Sequence, residues 1–177
     1  MTWNADLGGA AVVRAADAEE LVAKSTTLHL LLDASATHGA LSAHRVQLRD
    51  GADGASPHHH RQASEMFYVL GGTVDLLAGD QVLTATEGDL LVVAPGTAHA
   101  FAASAGCDGE LLVVITPGVE RFDFFRRLVK VLTGTGDRDA FLRNQAQYDT
   151  YGATSQAWTS RGLKLSNSAD FDNERPP

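Results

Sequence analysis

Three histidines and one glutamate are the residues of this sequence most able to do chemistry. His58, His60 and Glu65 lie close together, and His99 follows further along the chain. Imidazole suits Zn, Cu, Fe and Ni, and a carboxylate adds oxygen-loving metals such as Mn, so the group could hold one divalent transition metal. Side chains two apart on a β-strand point to the same face. His58 and His60 would then reach one ion together while His59 points away.

Each of these residues also has a simpler interpretation when it is taken alone. A short histidine run such as His58-His59-His60 is often a surface loop, and Glu65 could be a solvated strand residue. However, Glu65 opens the apolar run 66–70, which favours an inward-facing carboxylate. A buried carboxylate needs a metal or a hydrogen-bonding partner. The combined spacing therefore favours a metal site over four unrelated polar residues.

Composition limits the classes of protein to which the chain can belong. Its 177 residues fit one domain, 1–177, and 44% hydrophobic residues can bury a proper core. A net charge of −8, with no basic cluster beyond Arg126-Arg127, disfavours nucleic acid as a partner. The single Cys107 excludes an intrachain disulfide, and we see no signal peptide or apolar run long enough to span a membrane. We expect a cytoplasmic protein that is not bound to a membrane.

The middle of the chain has the pattern of many short strands. Apolar runs end repeatedly at Gly, Pro or Asp, and near-even spacing of such runs is typical of an antiparallel sandwich or barrel. We place the barrel core at about residues 26–116. The predicted strands are 26–33, 41–48, 65–70, 73–78, 81–85, 90–94, 98–103 and 110–116.

After Pro117-Gly118 the apolar period changes from that of strands to that of helices. We predict a helical extension over about residues 119–150, with a second short helix at roughly 138–148. A polar tail, 160–177, follows it. The residues expected on the buried face of the first helix are Val119, Phe122, Phe125, Leu128, Val129 and Leu132.

The first histidine segment resembles the first motif of the cupin superfamily, G-x5-H-x-H-x3,4-E-x6-G. His58, His60, Glu65 and Gly72 match it in spacing, whereas Ala52 stands where the leading glycine is expected. The resemblance is specific over about residues 40–116.

The second segment resembles the second cupin motif, G-x5-P-x-G-x2-H-x3-N. Gly88, Gly96 and His99 match it, while Ala94 replaces the proline and Ala103 the final asparagine. These departures affect turns and leave the metal-binding positions intact.

The resemblance implies an all-β fold, a single cupin jelly-roll barrel with a C-terminal helical segment. The stretches 31–37 and 122–125 also resemble those of small bacterial single-domain cupins similar to quercetin 2,3-dioxygenases. Such a resemblance implies one divalent metal (Fe, Mn, Ni, Co, Cu or Zn) bound by His58, His60, Glu65 and His99. We also expect a homodimer.

The leading functional hypothesis is a dioxygenase-type oxidoreductase that uses O2 and acts on an aromatic or enolisable small molecule. Glu65 would be the catalytic base. Phe67, Phe101 and His44 are candidates for the substrate pocket, because they share strand faces with the site or with core residues; core packing explains them equally well. The alternatives are a metal-dependent isomerase, cyclase or lyase, and a small-molecule-binding protein without catalysis.

Overall fold

The computed structural model describes residues 9–161. Residues 1–8 and all but the first two residues of the expected polar tail, 160–177, lie outside it. The helices are α1 (Phe122–Leu132) and α2 (Arg138–Arg143), and residues 156–161 are also helical. The strands are β1 (Glu19–Ala23), β2 (Thr26–Leu32), β3 (Ser42–Leu48), β4 (His58–His59), β5 (Ser64–Ala78), β6 (Gln81–Thr86), β7 (Leu90–Val93), β8 (His99–Ala103), β9 (Gly109–Thr116) and β10 (Tyr151–Gly152).

All strand pairs are antiparallel, and the long strand β5 joins two parts of the barrel. Its first half pairs with β7 and β9, and the sheet continues from β9 through β3 and β2 to β1. Its second half pairs with β6 and β8, and the sheet continues from β8 through β4 to β10. Strands arranged around β5 in this way enclose an interior lined by alternate side chains. The prediction of an all-β barrel is confirmed.

The separation of 65–70 and 73–78 into two strands is wrong. Gly71 and Gly72 do not end a strand; the register with β9 shifts between Val69 and Gly71, and the strand runs on. A bulge bends a strand and strengthens its twist without ending it. The glycine pair therefore marks the bend by which β5 passes from one part of the barrel to the other.

Gly72 is at this bend for a steric reason. Its φ is +74°, a region that residues with a side chain rarely adopt. A Cβ at this position would lie 2.0 Å from the carbonyl oxygen of Asp108. No other residue type fits without moving the backbone of the facing loop.

The helical extension packs on the barrel less regularly than predicted. α1 begins at Phe122, so Val119 precedes it, and Leu132 is exposed rather than buried. Phe124 and Phe125 are the buried residues of α1, and they join the main apolar core. The second predicted helix is also shorter: α2 ends at Arg143, and a 3₁₀ turn, Gln145–Tyr148, follows it.

Among the helices of residues 9–161, none has the length and apolar character needed to cross a membrane.

Candidate metal centre

Three neighbouring parts of the barrel carry the four residues singled out by the sequence. His58 opens β4 and pairs with His99, the first residue of β8. His60 follows directly after β4, and Glu65 is the second residue of β5. The strand ends therefore meet, and all four side chains point inwards and are buried. The structure brings the predicted ligands together.

The carboxylate of Glu65 lies among the three imidazoles. Its Oε2 is 2.7 Å from Nε2 of His99, 3.2 Å from Nε2 of His60 and 4.0 Å from Nε2 of His58. The four candidate donor atoms all lie within 4.8 Å of one another. The centre is shielded but not sealed, because His58 remains 8% exposed while His60 and His99 are each 1% exposed.

The other nitrogen of each imidazole is held by a main-chain carbonyl group. Nδ1 of His58 lies 2.9 Å from the oxygen of Ser56, and Nδ1 of His99 lies 2.8 Å from that of Thr97. Nδ1 of His60 lies 2.5 Å from the oxygen of Asp149. A carbonyl only accepts, so each Nδ1 carries the proton and donates it. A neutral imidazole held in this way would present its Nε2 lone pair to a metal at the centre, and such outer hydrogen bonds are typical of metal-binding histidines.

The charge and the lone pairs of this cluster favour a bound cation. Burial raises the pKa of Glu65, but the imidazoles of His60 and His99 outweigh burial and hold the pKa well below its usual value. Burial, with the charge of His99 as the next cause, lowers the pKa of His58 to about 3. A carboxylate anion thus faces a neutral imidazole whose lone pair points at it, which is an unfavourable arrangement without positive charge between them.

His99 gives the most direct test of whether the residues fit a metal. Its Nε2 is close to Glu65, but the two atoms are not aligned for a hydrogen bond, so this buried nitrogen has no hydrogen-bonding partner among the described residues. Buried polar atoms are rarely left in this state. Nε2 of His60 lies within hydrogen-bonding distance of Glu65, at 3.2 Å, whereas Nε2 of His99 has no such bond. Three nitrogens and one oxygen that converge in this way fit a divalent transition metal.

His59 lies on the other side of β4, as alternation along a strand requires. Its ring stacks on that of Tyr151 in β10, with centroids 5.5 Å apart and planes 24° apart. The residue belongs to the outer surface of the barrel and does not contribute to the cluster.

The three candidate pocket residues are all buried near the centre. Phe67 lies between His99 and Phe101, with ring centroids 5.9 Å and 5.7 Å away. His44 packs on Phe125 of α1 at 4.5 Å. All of them contribute to the packed interior, and core packing accounts for their positions.

A large surface groove lies elsewhere, beside the helical residues 156–161. It encloses about 900 Å³ and is lined by residues that include Asp80, Gln81 and Ser155. Its lining contains none of the four clustered residues, and the convergence of donor atoms is a stronger sign of chemistry than the size of an open groove.

Sequence reasoning missed Asp149 and Arg121. Burial raises the pKa of the Asp149 carboxyl, but the main-chain N–H groups of Gln62, Arg61 and Ala63 bind it and hold its pKa below the usual value. No local pattern marks an aspartate that lies 89 positions after the histidine it contacts. Arg121 has no local pattern either, because the residues that it bonds lie far from it in the sequence.

Comparison with known protein families supports the cupin resemblance. A family model described as a cupin domain matches residues 44–115, which is less than half of the chain. The matched range contains all four clustered residues and ends in β9, before the helical extension. The central barrel is therefore of the cupin type, as its two motifs imply, and the C-terminal region lies outside the match.

Solved structures show the same fold at low sequence identity. KdgF from Halomonas is 19% identical, with a TM-score of 0.54 over 64% of this chain and 97% of that one. A predicted oxalate decarboxylase from Thermotoga maritima is 22% identical, with a TM-score of 0.54 over 60% of this chain and 98% of that one. A sugar phosphate isomerase from a cupin superfamily, from Silicibacter pomeroyi, is 19% identical, with a TM-score of 0.53 over 60% and 75%. No curated protein matches significantly. These similarities establish the fold.

Proposed function

We propose that this protein is a metal-dependent enzyme that binds one divalent transition metal through His58, His60, Glu65 and His99. The observation that carries the proposal is the convergence of three imidazole nitrogens and one carboxylate within 4.8 Å in a buried site. Zn, Fe, Mn, Ni, Co and Cu all accept such a donor set, and metal availability as well as affinity selects among them.

The reaction that we favour is a dioxygenase-type oxidation of an aromatic or enolisable small molecule. When bound here, a divalent metal would act as a Lewis acid that stabilises a substrate oxygen anion. The protein would supply the base that produces this anion. Glu65 is placed for the role because its Oε2 faces the centre of the cluster and its carboxyl group is ionised at neutral pH.

The surrounding residues agree with a small and largely apolar substrate. The ring of Phe67 lies beside His99, the ring of Phe101 packs on Phe67, and His44 offers a buried imidazole. Burial lowers the pKa of His44 to about 3, so its imidazole is neutral and can donate or accept a hydrogen bond. Entry would be from the side of His58, the most exposed of the four clustered residues.

A non-oxidative reaction at the same residues is the second candidate. An isomerase, cyclase or lyase would use Glu65 as the base in the same way but would consume no O2. The names of two structural neighbours, an isomerase and a predicted decarboxylase, are the reason to keep this candidate. A third possibility is binding of a small molecule without turnover.

Oxygen uptake separates these candidates. The protein, loaded with each metal in turn, would be offered flavonols, polyphenols and 1,3-dicarbonyl compounds while dissolved O2 and substrate absorbance are recorded. We expect metal-dependent O2 consumption that falls by ~10²–10⁴-fold in Glu65→Gln at matched metal occupancy, because the amide fills the same space but cannot accept the proton.

The other outcomes are equally informative. Turnover without loss of O2 would replace the dioxygenase with the isomerase or cyclase. Saturable binding without turnover under every metal would favour the non-catalytic protein. His59→Ala is the matched control, because its ring lies outside the barrel and its loss should leave metal content and turnover unchanged.

A further inference from the structure

A short C-terminal segment crosses the barrel directly outside the metal centre. β10 pairs with β4, so that Tyr151 is opposite His59 and Gly152 is opposite His58. The main-chain N–H of Ala153 adds a hydrogen bond of 2.9 Å to the carbonyl of Pro57. We call residues 148–152 the strap. The strap lies outside the range that matches the cupin family model.

One strap residue, Asp149, holds His60 from two directions. Its main-chain oxygen accepts the hydrogen bond from Nδ1 of His60 at 2.5 Å. Its carboxylate accepts from the main-chain N–H groups that follow His60 in the chain: Arg61 at 3.0 Å, Gln62 at 3.0 Å and Ala63 at 3.2 Å. Both the ring of His60 and the loop that carries it to Glu65 are therefore tied to a single residue.

The main chain of Asp149 adopts the conformation that this double contact needs. Its φ is +50° and its ψ is 33°, the left-handed region. Among residues other than glycine, Asp and Asn visit this region most readily. The turn directs the carbonyl towards His60 while the side chain reaches the loop, which an alanine at this position would do only with strain.

Arg121 fixes the strap from the inside. Its Nη1 donates to the carbonyl of Tyr148 at 3.1 Å and to Oγ1 of Thr150 at 2.6 Å, the residues on either side of Asp149. The buried guanidinium also lies over the rings of Phe124 and Phe125. The start of α1 is thereby linked through the strap to His60.

The dependence of His60 on the strap is unlike that of the other two histidines. His58 and His99 bond carbonyl groups only two positions before them, at Ser56 and Thr97. The partner of His60 is 89 positions away. Distortion of the strap would therefore release one imidazole and leave two in place.

We propose that the strap is a positioning element of the metal centre, in which Asp149 is a positioning residue that sets the tautomer and the ring orientation of His60. This inference rests on the proposed metal site. An outer partner of a metal-binding histidine typically changes metal affinity by ~10–100-fold when it is lost. Asp149→Ala keeps the main-chain carbonyl but removes the carboxylate that ties it to the loop and strains the left-handed turn that aims it at His60. We therefore expect an effect of up to this size from Asp149→Ala, although Asp149 itself would not touch the metal.

The first test measures affinity for Zn²⁺ and Co²⁺ by competition with a chromophoric chelator, on apo protein shown by circular dichroism to be folded. We expect Asp149→Ala to bind ~10–100-fold more weakly. Asp149→Asn should lose less, because it tolerates the same φ and its amide oxygen still accepts. Asp75→Asn is the matched control: Asp75 is another buried carboxylate, bonded to Thr84 and Ser104, and its loss should leave affinity unchanged.

The second test needs no metal. Nitrogen-15 NMR of the histidine side chains in the apo protein reports which nitrogen carries the proton. We expect His60 to be protonated at Nδ1 in the wild-type chain and to become a mixture of tautomers in Asp149→Ala, while His58 and His99 do not change.

A variant that melts earlier but keeps wild-type metal affinity and the His60 tautomer would show that the strap only stabilises the fold, and would overturn the proposal. If Asp149→Ala does not fold, the same two measurements on Asp149→Asn decide. A wild-type chain that binds no metal would refute the metal site, while the tautomer experiment would still decide whether Asp149 positions His60.

Discussion

The metal centre draws on two regions of the chain that are built differently. In the barrel, two of the histidines bond to residues close to them in sequence: His58 donates to the carbonyl of Ser56, and His99 donates to that of Thr97. In the C-terminal region, Asp149 holds His60 from 89 positions away in the sequence. The barrel supplies the donor atoms, and the C-terminal region supplies part of their orientation. Each can therefore be disturbed without removing the other.

Loss of an inner ligand should have the largest effect. His99→Ala removes a nitrogen that lies 2.7 Å from Glu65, so metal affinity should fall by more than the ~10–100-fold expected for an outer partner such as Asp149. Metal content after desalting, measured by mass spectrometry, checks this. A stoichiometric ion retained by the His60→Ala/His99→Ala double variant would rule out the site, and an equal loss in Asp149→Ala and His99→Ala would remove the distinction between the two regions.

Glycines of the two regions provide the next comparison. Gly72 in the barrel and Gly134 after α1 have nearly the same φ, +74° and +77°, but only Gly72 faces a carbonyl where a Cβ would stand. Gly72→Ala should cost about 3 kcal/mol or more, from strain plus overpacking. Gly134→Ala should cost only the conformational part, ~1–2 kcal/mol. Urea unfolding measures both, and similar losses would mean that the bend in β5 is not sterically constrained.

The barrel region was the part that the sequence could predict. The spacing of His58, His60, Glu65 and His99 is local to two motifs, and alternation along a strand is enough to place His59 outside. Gly71-Gly72 was misjudged as a strand end because a glycine pair signals a turn and a bulge alike. Only the facing carbonyl of Asp108, far away in sequence, decides between them.

The C-terminal region could not be predicted to the same depth. Apolar residues recur at helical spacing after Gly118, and this repeated local pattern was enough to predict a helix that contains Phe122 and Phe125. It could not indicate that Leu132 is exposed, because burial depends on where the helix meets the barrel. Asp149 and Arg121 carry no pattern of their own; their importance arises from tertiary contacts alone.

The pH dependence of stability tests the contact between the two regions. His44 of β3 is buried against Phe125 of α1, and burial lowers its pKa from 6.5 to about 3. The unfolded chain therefore binds a proton that the folded chain excludes, so stability is complete above pH 6.5 and is lost as the pH falls from 6.5 towards 3.

Replacement of His44 should weaken this dependence. One pH unit below 6.5, the wild-type chain should lose about 1.4 kcal/mol through His44, and His44→Gln should not show that part of the loss. Urea unfolding at several pH values gives the two slopes. The exposed His38, replaced by Asn, controls for removal of a histidine. Identical slopes in wild type and His44→Gln would mean that His44 is charged or solvated in the folded protein.

The smallest expected effect on stability is at an exposed ion pair between α1 and the barrel. Arg126 of α1 forms two hydrogen bonds with Glu19 of β1, at 2.9 Å and 2.5 Å, but both side chains are more than 40% exposed. Water and salt screen such a pair, so a double-mutant cycle with Arg126→Ala and Glu19→Ala should give about 0.5 kcal/mol.

That coupling should shrink further in high salt, because the Debye length falls to about 3 Å at 1 M. The pair Asp123–Arg127 lies within α1 and joins no two regions, which makes it the matched cycle. If the Arg126–Glu19 coupling were several times larger and insensitive to salt, the C-terminal region would be attached to the barrel by charge. A small coupling is what we expect if the attachment comes from Phe124 and Phe125, whose rings are buried in the shared core.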